Sequence, residues 1–309
     1  MFRYLNFVFP VSKPVPNSDL AMEVYSPSRR HTHTIIFLHG RDDTAAEFSD
    51  ALFECQTSDG KHLQDHFPHA KWVFPTAPIL MARRLELEIS QWFDMWTTED
   101  PHDGEDGQDP TSAIDAVHKI IQQEVGIVGA QNIILAGISQ GCAVAIHSLL
   151  KQERKLGGFI GLSSWLPKPS AIANAGKRFP CALDTPVFLG HCQRDPIINV
   201  KYGEELRDCL KAIDMRVEWH SYNDDKHWIS EPDIPSMESY PTEVDDIVDF
   251  LHKTMKTEIS RVYEKTSIRR PEVRKAQISD AESELPWLHG PTRVRFDEDG
   301  ESSEQYLMF

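Results

Sequence analysis

The sequence is poor in basic residues and in long hydrophobic runs, and each deficit excludes a class of protein. Its 309 residues hold 32 Lys and Arg against 48 Asp and Glu, so the net charge is −16. So strong a negative charge repels phosphate groups, which excludes broad nucleic-acid binding and disfavours contact with anionic membranes. No run approaches the roughly 18 apolar residues of a membrane-spanning helix. We therefore expect neither a nucleic-acid partner nor a membrane span.

Cysteine is also scarce, and its pattern argues against a disulfide framework. The five cysteines are odd in number, well separated and without a C-x-x-C pair: Cys55, Cys142, Cys181, Cys192 and Cys209. This pattern is typical of reduced intracellular thiols. The first residues are interrupted by Asn6 and Pro10, too early for the apolar stretch of a secretory signal. The sequence predicts a cytoplasmic protein.

Apolar runs and helical patterns alternate from residue 34 to residue 255. Short runs rich in β-branched and aromatic residues predict strands at 34–38, 71–74, 132–136, 158–162, 186–190 and 216–220. Segments with apolar residues at helical spacing predict helices at 45–54, 110–124, 142–150, 200–213 and 243–255. This alternation favours an α/β fold with a mainly parallel central sheet and helices on both faces. Such sheets bind their ligands at the carboxyl ends of the strands.

The apolar periodicity fades beyond about residue 257. A basic stretch at 261–275 and an acidic stretch at 280–304 follow. Separate blocks of like charge are typical of extensions that lack a core of their own. We predict one folded domain over residues 1–256 and a flexible, charged C-terminal extension over residues 257–309.

The strongest local motif is Gly137-Ile138-Ser139-Gln140-Gly141, which lies between a predicted strand and a predicted helix. Small residues on both sides of a serine allow a sharp strand-to-helix turn that lifts the hydroxyl out of the sheet edge. The N-terminus of the following helix favours negative charge that develops there. The alternative is a tight turn in which the serine caps the helix. The context favours Ser139 as a nucleophile.

A serine nucleophile needs a base, and the base needs an orienting acid. In this topology the expected chain order is serine, acid, histidine, each on a loop after a strand. Asp195 follows the predicted strand at 186–190, and His227 lies between the last predicted strand and the last helix. Each alone is more typical of a turn or a surface loop. Their order and placement together predict a catalytic triad of Ser139, Asp195 and His227.

Acyl transfer through a serine also needs two N–H donors for the oxyanion of the tetrahedral intermediate. The residue after the nucleophile, Gln140, supplies one backbone N–H. The loop after the first central strand supplies the other, and Arg41 is the candidate because Gly40 lets the backbone approach a substrate. The alternative for this loop is an ordinary turn at the end of a strand.

Five segments carry a resemblance to a known family: Phe37-Leu38-His39-Gly40, Gln91-Trp92-Phe93-Asp94, Gly137-Ile138-Ser139-Gln140-Gly141, the Asp195-Pro196 loop and the His227 loop. In combination they resemble the acyl-protein thioesterase / phospholipase–carboxylesterase family of α/β-hydrolases, over residues 34 to about 252. The resemblance implies an α/β-hydrolase fold and hydrolysis of carboxylic esters or S-acyl thioesters through an acyl-serine, without a metal or cofactor. The implied partner is an acyl ester or thioester substrate, with acylated proteins and acyl carriers as candidates. The same triad and oxyanion residues carry over.

Two departures from the family pattern bear on the substrate. Asp42 stands where members often have glycine, and Lys226 precedes His227 where they often have glycine. Four aromatic residues are candidate walls of a substrate pocket, with the hydrophobic core as the alternative: Trp92, Phe93, Trp96 and Trp228. The match to the family's Trp-Phe-Asp favours the pocket for Trp92, Phe93 and Trp96.

Two other functions remain open from the sequence. One is an acyl-releasing or acyl-transferring hydrolase of a specialised biosynthetic pathway, with the same fold and a different acyl acceptor. The other, of a different class, is an inactive hydrolase fold used as a binding module. His31 and His33 offer two metal-binding nitrogens, but no third ligand is evident and no metal site is predicted. The sequence makes no prediction of oligomeric state.

Overall fold

The fold comes from a computed structural model, which describes residues 20–104, 108–169, 178–232 and 242–255. Its centre is a seven-stranded sheet, flanked by a separate two-stranded hairpin. The strands are β1 Met22–Tyr25, β2 His33–Leu38, β3 Ala70–Pro75, β4 Ile79–Ala82, β5 Leu87–Ser90, β6 Ile133–Ile138, β7 Gly158–Leu162, β8 Val187–Cys192 and β9 Val217–Tyr222. The predicted extension at 257–309 lies outside the described residues.

Helices cover the sheet on both faces. They are α1 Ala45–Glu54, α2 Leu63–His66, α3 Thr111–Val128, α4 Gln140–Leu149, α5 Pro180–Leu183, α6 Val200–Ala212 and α7 Glu243–Met255. The predicted helices at 45–54 and 243–255 are confirmed at both ends, because each carries an apolar stripe on an otherwise polar surface. α3 extends four residues beyond its predicted end.

The order and direction of the strands determine which loops share one edge of the sheet. The order is β1-β3-β2-β6-β7-β8-β9, and every neighbouring pair is parallel except β1 with β3. The carboxyl ends of β2, β6, β7, β8 and β9 therefore meet at the same edge. This confirms the predicted α/β-hydrolase architecture.

The core consists of two apolar layers, one on each face of the sheet. Side chains of successive strand residues point to opposite faces, so Ile36 and Leu38 join one layer while Ile35 and Phe37 join the other. All six residues of β6 are buried, as expected for a strand covered on both sides. The buried apolar runs that predicted strands are thus the residues that fill these layers.

The insert at 75–96 forms the β4–β5 hairpin. Its strands pair in antiparallel register, with Leu80 opposite Ile89. Large apolar side chains remain exposed along it: Ile79, Leu80, Met81, Leu85 and Leu87. The hairpin and β1 were not predicted from the sequence. Within the described ranges, no helix is long and apolar enough to cross a membrane.

Candidate active site

Ser139 sits at the junction of β6 and α4 with a strained backbone. Its φ is 52° and its ψ is −126°, a region that residues with a side chain rarely adopt. A Cβ on Gly137 would lie 2.6 Å from the Cys142 nitrogen, and a Cβ on Gly141 would lie 2.3 Å from the His39 oxygen. Both glycines of the motif are therefore required by close backbone contacts. They let the helix start directly against the ends of two strands.

Asp195 and His227 are in direct contact. His227 Nδ1 lies 2.7 Å from Asp195 Oδ2. The other carboxylate oxygen, Oδ1, accepts hydrogen bonds from the backbone N–H groups of Ile197 at 2.8 Å and Ile198 at 2.9 Å. The Asp195 side chain is fully buried. The arrangement can hold His227 with its proton on Nδ1, which leaves Nε2 as a base.

Hydrogen bonds keep Asp195 ionised despite its burial. Burial alone would raise the pKa of this carboxyl, but the nearby His191 N–H and hydrogen bonds from His227 and backbone N–H groups outweigh it and hold the pKa well below its usual range. Asp195 therefore carries its negative charge throughout the physiological pH range. An ionised carboxylate stabilises an imidazolium that forms beside it.

The topology brings the three predicted triad residues to one edge of the sheet. Ser139 directly follows β6, Asp195 comes three residues after β8, and His227 comes five residues after β9. Backbone hydrogen bonds tie this edge together: the Ser139 N–H donates to Leu162 O at 2.9 Å, and the Ser163 N–H donates to Gly190 O at 2.9 Å. The loops that carry the triad thus follow parallel strands of one sheet, with β7 between β6 and β8.

The loop after β2 lies beside the serine. A Cβ on Gly40 would be 3.6 Å from the Ser139 Cβ, so the two backbones are close neighbours. Asp42 has a φ of 61°, the left-handed region that glycine adopts without strain and that Asp tolerates better than most residues. Asp42 therefore holds a conformation that glycine at this position would adopt without strain. Gln140 is the first residue of α4, so its N–H has no helical acceptor and is free for an oxyanion.

His39 fixes the shape of this loop as a neutral, buried imidazole. Burial lowers its pKa to about 4. Its Nδ1 donates to Gly40 O at 2.7 Å, and its Nε2 accepts from the Ala77 N–H at 3.0 Å. Trp92 Nε1 donates to the His39 carbonyl at 2.8 Å. Both ring nitrogens are thereby satisfied, and the loop is anchored to the residues that flank the hairpin.

The side chain of Gln140 makes a contact that the sequence did not reveal. Its Oε1 accepts from the Trp92 N–H at 2.8 Å, and its Nε2 donates to Phe93 O at 2.8 Å. The residue after the serine therefore clamps the backbone of the 91–94 segment. The resemblance of Gln91-Trp92-Phe93-Asp94 to the family motif was the signal that this segment matters.

The four aromatic residues predicted as pocket walls lie in different places. Trp92 and Phe93 are 2% and 1% exposed, and both line an open groove of about 660 Å³ between the hairpin and α3. Trp96 is 49% exposed, and Trp228 packs edge-on against Phe48 with ring centres 5.7 Å apart. The lining of the groove includes neither Trp96 nor Trp228. The first two residues serve both the core and the groove.

The described part of the chain contains no cluster of side chains suited to hold a metal ion. His31 Nε2 instead contacts the Thr34 hydroxyl at 3.0 Å, and His33 Nδ1 contacts the Thr32 hydroxyl at 2.9 Å. All five cysteines are free thiols.

Comparison with known proteins assigns this arrangement to a family. The sequence profile described as phospholipase/carboxylesterase matches residues 20–255, which include Ser139, Asp195 and His227. The chain belongs to the phospholipase/carboxylesterase family. It is therefore an enzyme, a hydrolase of esters or thioesters with the α/β-hydrolase fold.

Individual relatives agree with this assignment. The chain is similar to acyl-protein thioesterase 1 of Cryptococcus neoformans, with 32% identity over 189 residues that cover 60% of this chain and 75% of the relative. Acyl-protein thioesterase 1 of Gibberella zeae is 29% identical over 243 residues, covering 76% and 96%. Among solved structures, Zea mays acyl-protein thioesterase 2 matches with a TM-score of 0.60 and 25% identity, covering 76% of this chain and 99% of that one.

Proposed function

We propose that the protein hydrolyses acyl esters and S-acyl thioesters through an acyl-Ser139 intermediate. His227 Nε2 takes the proton of Ser139 Oγ as this oxygen attacks the acyl carbonyl carbon. The tetrahedral intermediate collapses, the bond to the alcohol or thiol breaks, and His227 returns the proton to the leaving group. Water then attacks the acyl-serine with the same histidine as base, which releases the carboxylic acid and restores Ser139.

The observation that carries this proposal is the shared edge of the sheet. A strained serine at a strand-to-helix turn stands on the same edge as a buried, ionised aspartate that contacts a histidine at 2.7 Å. A helix-capping serine would need neither the left-handed backbone nor the two glycines that permit it. Strain of this kind persists where the surrounding structure imposes it, and it concentrates at functional sites.

The oxyanion that forms during attack needs two donors. The N–H of Gln140 at the start of α4 and the N–H of Arg41 in the loop beside Ser139 are the proposed pair. The side chain of Gln140 and the buried His39 hold these two backbone segments in place. Donors positioned before the reaction stabilise the developing charge without reorganisation, and each is worth about 2.7–4 kcal/mol in the transition state.

The hairpin indicates that the acyl group is long and apolar. It is joined directly to the oxyanion loop, since the Asp42 N–H donates to Ser90 O at 2.7 Å and Arg41 Nε donates to Gln91 Oε1 at 2.9 Å. These contacts fasten the base of the hairpin to the loop that carries the proposed donor Arg41. Each CH₂ of an acyl chain that leaves water against the exposed apolar side chains of the hairpin contributes about 0.8 kcal/mol. S-acylated proteins, the substrate class that the relatives' names state, fit this surface.

The reaction is tested by kinetics with a matched pair of serine variants. Ser139→Ala should lower kcat/KM for p-nitrophenyl and thioester substrates by about 10⁵-fold, because it removes the nucleophile. Ser28 is an exposed serine that lies far from Ser139 in the sequence, so Ser28→Ala should match the parent enzyme. Parental turnover in a folded Ser139→Ala variant would refute the acyl-serine mechanism.

The acyl preference is tested with p-nitrophenyl esters from two to twelve carbons. kcat/KM should rise with chain length in the parent, and Met81→Ser should flatten that rise. Ile127→Ser is the control, because Ile127 is 60% exposed and lies on α3 rather than on the hairpin. A monotonic fall with chain length in the parent would leave a hydrolase of small esters.

A further inference from the structure

Asp195 is flanked by a second imidazole besides His227. His191, the next-to-last residue of β8, is 1% exposed. Its Nε2 lies 2.8 Å from Ile198 O and 3.4 Å from Asp195 Oδ2. That carboxylate oxygen is the same one that contacts His227 Nδ1. The two imidazoles therefore approach one oxygen atom, one from β8 and the other from the loop after β9.

The hydrogen bond to Ile198 determines the tautomer of His191. A carbonyl oxygen only accepts, so Nε2 carries the proton and Nδ1 is a bare acceptor. Nδ1 is buried and has no hydrogen-bond partner among the described residues. It faces α6, where a Cβ on Gly203 would lie 2.4 Å away. A buried acceptor without a partner is costly, and an apolar side chain of similar size would avoid that cost. The imidazole is therefore explained by its N–H rather than by packing.

Ile198 links the two sides of this arrangement. Its N–H donates to Asp195 Oδ1 at 2.9 Å, while its carbonyl accepts from His191. The N–H of His191 thus acts on Asp195 in two ways. It lies near Oδ2 directly, and it holds the peptide that binds Oδ1.

We propose that His191 is a positioning residue for the reaction, whose Nε2–H fixes the carboxylate of Asp195 and draws part of its charge away from His227. This inference rests on the proposed function of the triad. Without this donor, the Asp195 carboxylate turns more negative charge toward His227 and is also less firmly oriented. The first change favours the protonated imidazole, and the second slows proton transfer in the transition state.

The other titratable groups near the pair do not depend on this N–H. They are Cys192 on β8, Asp224 in the loop that carries His227 and Glu243 at the start of α7, and each interacts electrostatically with Asp195 or with another member of this group. The ring of Trp219 on β9 packs near His191 and carries no charge. The three titratable groups form hydrogen bonds with Trp228 and Ser230, so a substitution at His191 removes no hydrogen bond from them.

The test compares His191→Met with His191→Gln, two variants of similar size. The amide of Gln places an N–H close to the position of Nε2, whereas Met has no donor. His191→Met should lower kcat about tenfold at unchanged KM, the worth of a hydrogen bond to a charged group. The acid limb of its kcat/KM profile should move to higher pH by about half a unit. His191→Gln should stay within about threefold of the parent with the limb in place.

Several results would overturn the proposal. Parental kcat and pH profile in His191→Met would do so, and so would equal losses in Met and Gln with no movement of the limb, which would indicate packing alone. Gly203→Ala provides the same test if His191→Met does not fold. Its added methyl group displaces the ring while all titratable groups remain, and it should lower kcat and move the limb in the same direction. An unaltered Gly203→Ala enzyme would contradict the proposal.

Failure of the triad itself is distinguishable from failure of this inference. If Ser139→Ala retains parental turnover, the proposed mechanism is wrong whatever the His191 variants show. If Ser139→Ala is inactive and the His191 variants behave like the parent, the triad stands and the role of His191 does not.

Discussion

The two ends of the central sheet differ in how their charged groups are paired and in where the backbone is strained. At the amino end, Lys71 on β3 and Glu124 on α3 form a buried ion pair with 2.5 Å between Nζ and Oε1. The second carboxylate oxygen of Glu124 accepts from the Thr34 hydroxyl on β2 at 2.9 Å. This end joins a helix to two strands with each charge paired. Its polar groups serve the stability of the fold.

The carboxyl end holds strained backbone and several unpaired polar groups. Asp42, Ser139 and Ser163 follow β2, β6 and β7 in turn, and each has a positive φ, of 61°, 52° and 46°. Three buried polar atoms near this edge have no hydrogen-bond partner within the described ranges: Ser163 Oγ, His191 Nδ1 and Glu243 Oε1. The ion pair at the amino end joins the fold together, while the strained backbone lies at the end that carries the proposed nucleophile.

The largest effect is expected when a charge at the carboxyl end of the sheet is removed without a change in side-chain size. Asp195→Asn keeps the size of the side chain but removes the charge that holds His227 in its reactive tautomer. kcat/KM should fall by about 10³–10⁴-fold while the urea midpoint of unfolding stays near that of the parent. A loss of stability in place of a loss of activity would show that Asp195 stabilises the fold and does not serve the reaction.

The amino end should respond in the opposite way. Lys71→Met leaves Glu124 buried without its cation, which should lower the free energy of unfolding by about 3–5 kcal/mol at unchanged kcat per folded molecule. The double variant Lys71→Met/Glu124→Gln removes both charges and should recover most of that loss. Urea unfolding measures both. A single variant as stable as the parent would contradict the structural role of the pair.

Glu243 should make the free energy of unfolding depend on pH. Burial raises its pKa to about 8, so the folded state binds a proton that the unfolded chain has already released near its ordinary value. This contribution to stability is therefore complete at pH values below the ordinary pKa and is lost as the pH rises toward 8. Glu243→Gln should match the parent at about pH 4 and exceed its free energy of unfolding at about pH 9 by a few kcal/mol. If the free energies of unfolding of the two proteins changed in parallel with pH, Glu243 would be ionised in the folded state.

The smallest effect is expected at Asp42. Glycine adopts its φ of 61° without strain but loses more entropy on folding, so Asp42→Gly should change the free energy of unfolding by less than about 1 kcal/mol. Asp42→Val should cost about 1–2 kcal/mol, because a β-branched side chain is poorly accommodated there. Equal stability of the two variants would mean that the loop does not hold this conformation.

The sequence was informative where one physical pattern determined the outcome. Core strands such as β6 are continuous apolar runs because both faces are buried, and this made the parallel sheet predictable. Ser139, Asp195 and His227 were candidates because each stands just after a predicted strand. Their roles stay predictions, while their placement at one edge follows from the strand order.

The rest depended on tertiary contacts that no local pattern encodes. His191 looked like the first residue of a loop, because the predicted strand ended at Gly190, whereas β8 continues to Cys192 and buries the imidazole. The partner of Gln140 lies nearly fifty residues away at Trp92. The β4–β5 hairpin has exposed apolar residues on short strands, a pattern that does not separate a hairpin from a loop.

Covalent labelling tests most directly whether Ser139, the strained serine at the carboxyl end of β6, is the nucleophile. The parent enzyme would be treated with a fluorophosphonate probe, digested and mapped by tandem mass spectrometry. We expect a single phosphonylated residue, Ser139. The label should be lost in Ser139→Ala and should stay at the parental level in Ser28→Ala. An active parent enzyme that carries no label, or that carries it on Ser163 or Ser164, would contradict this expectation.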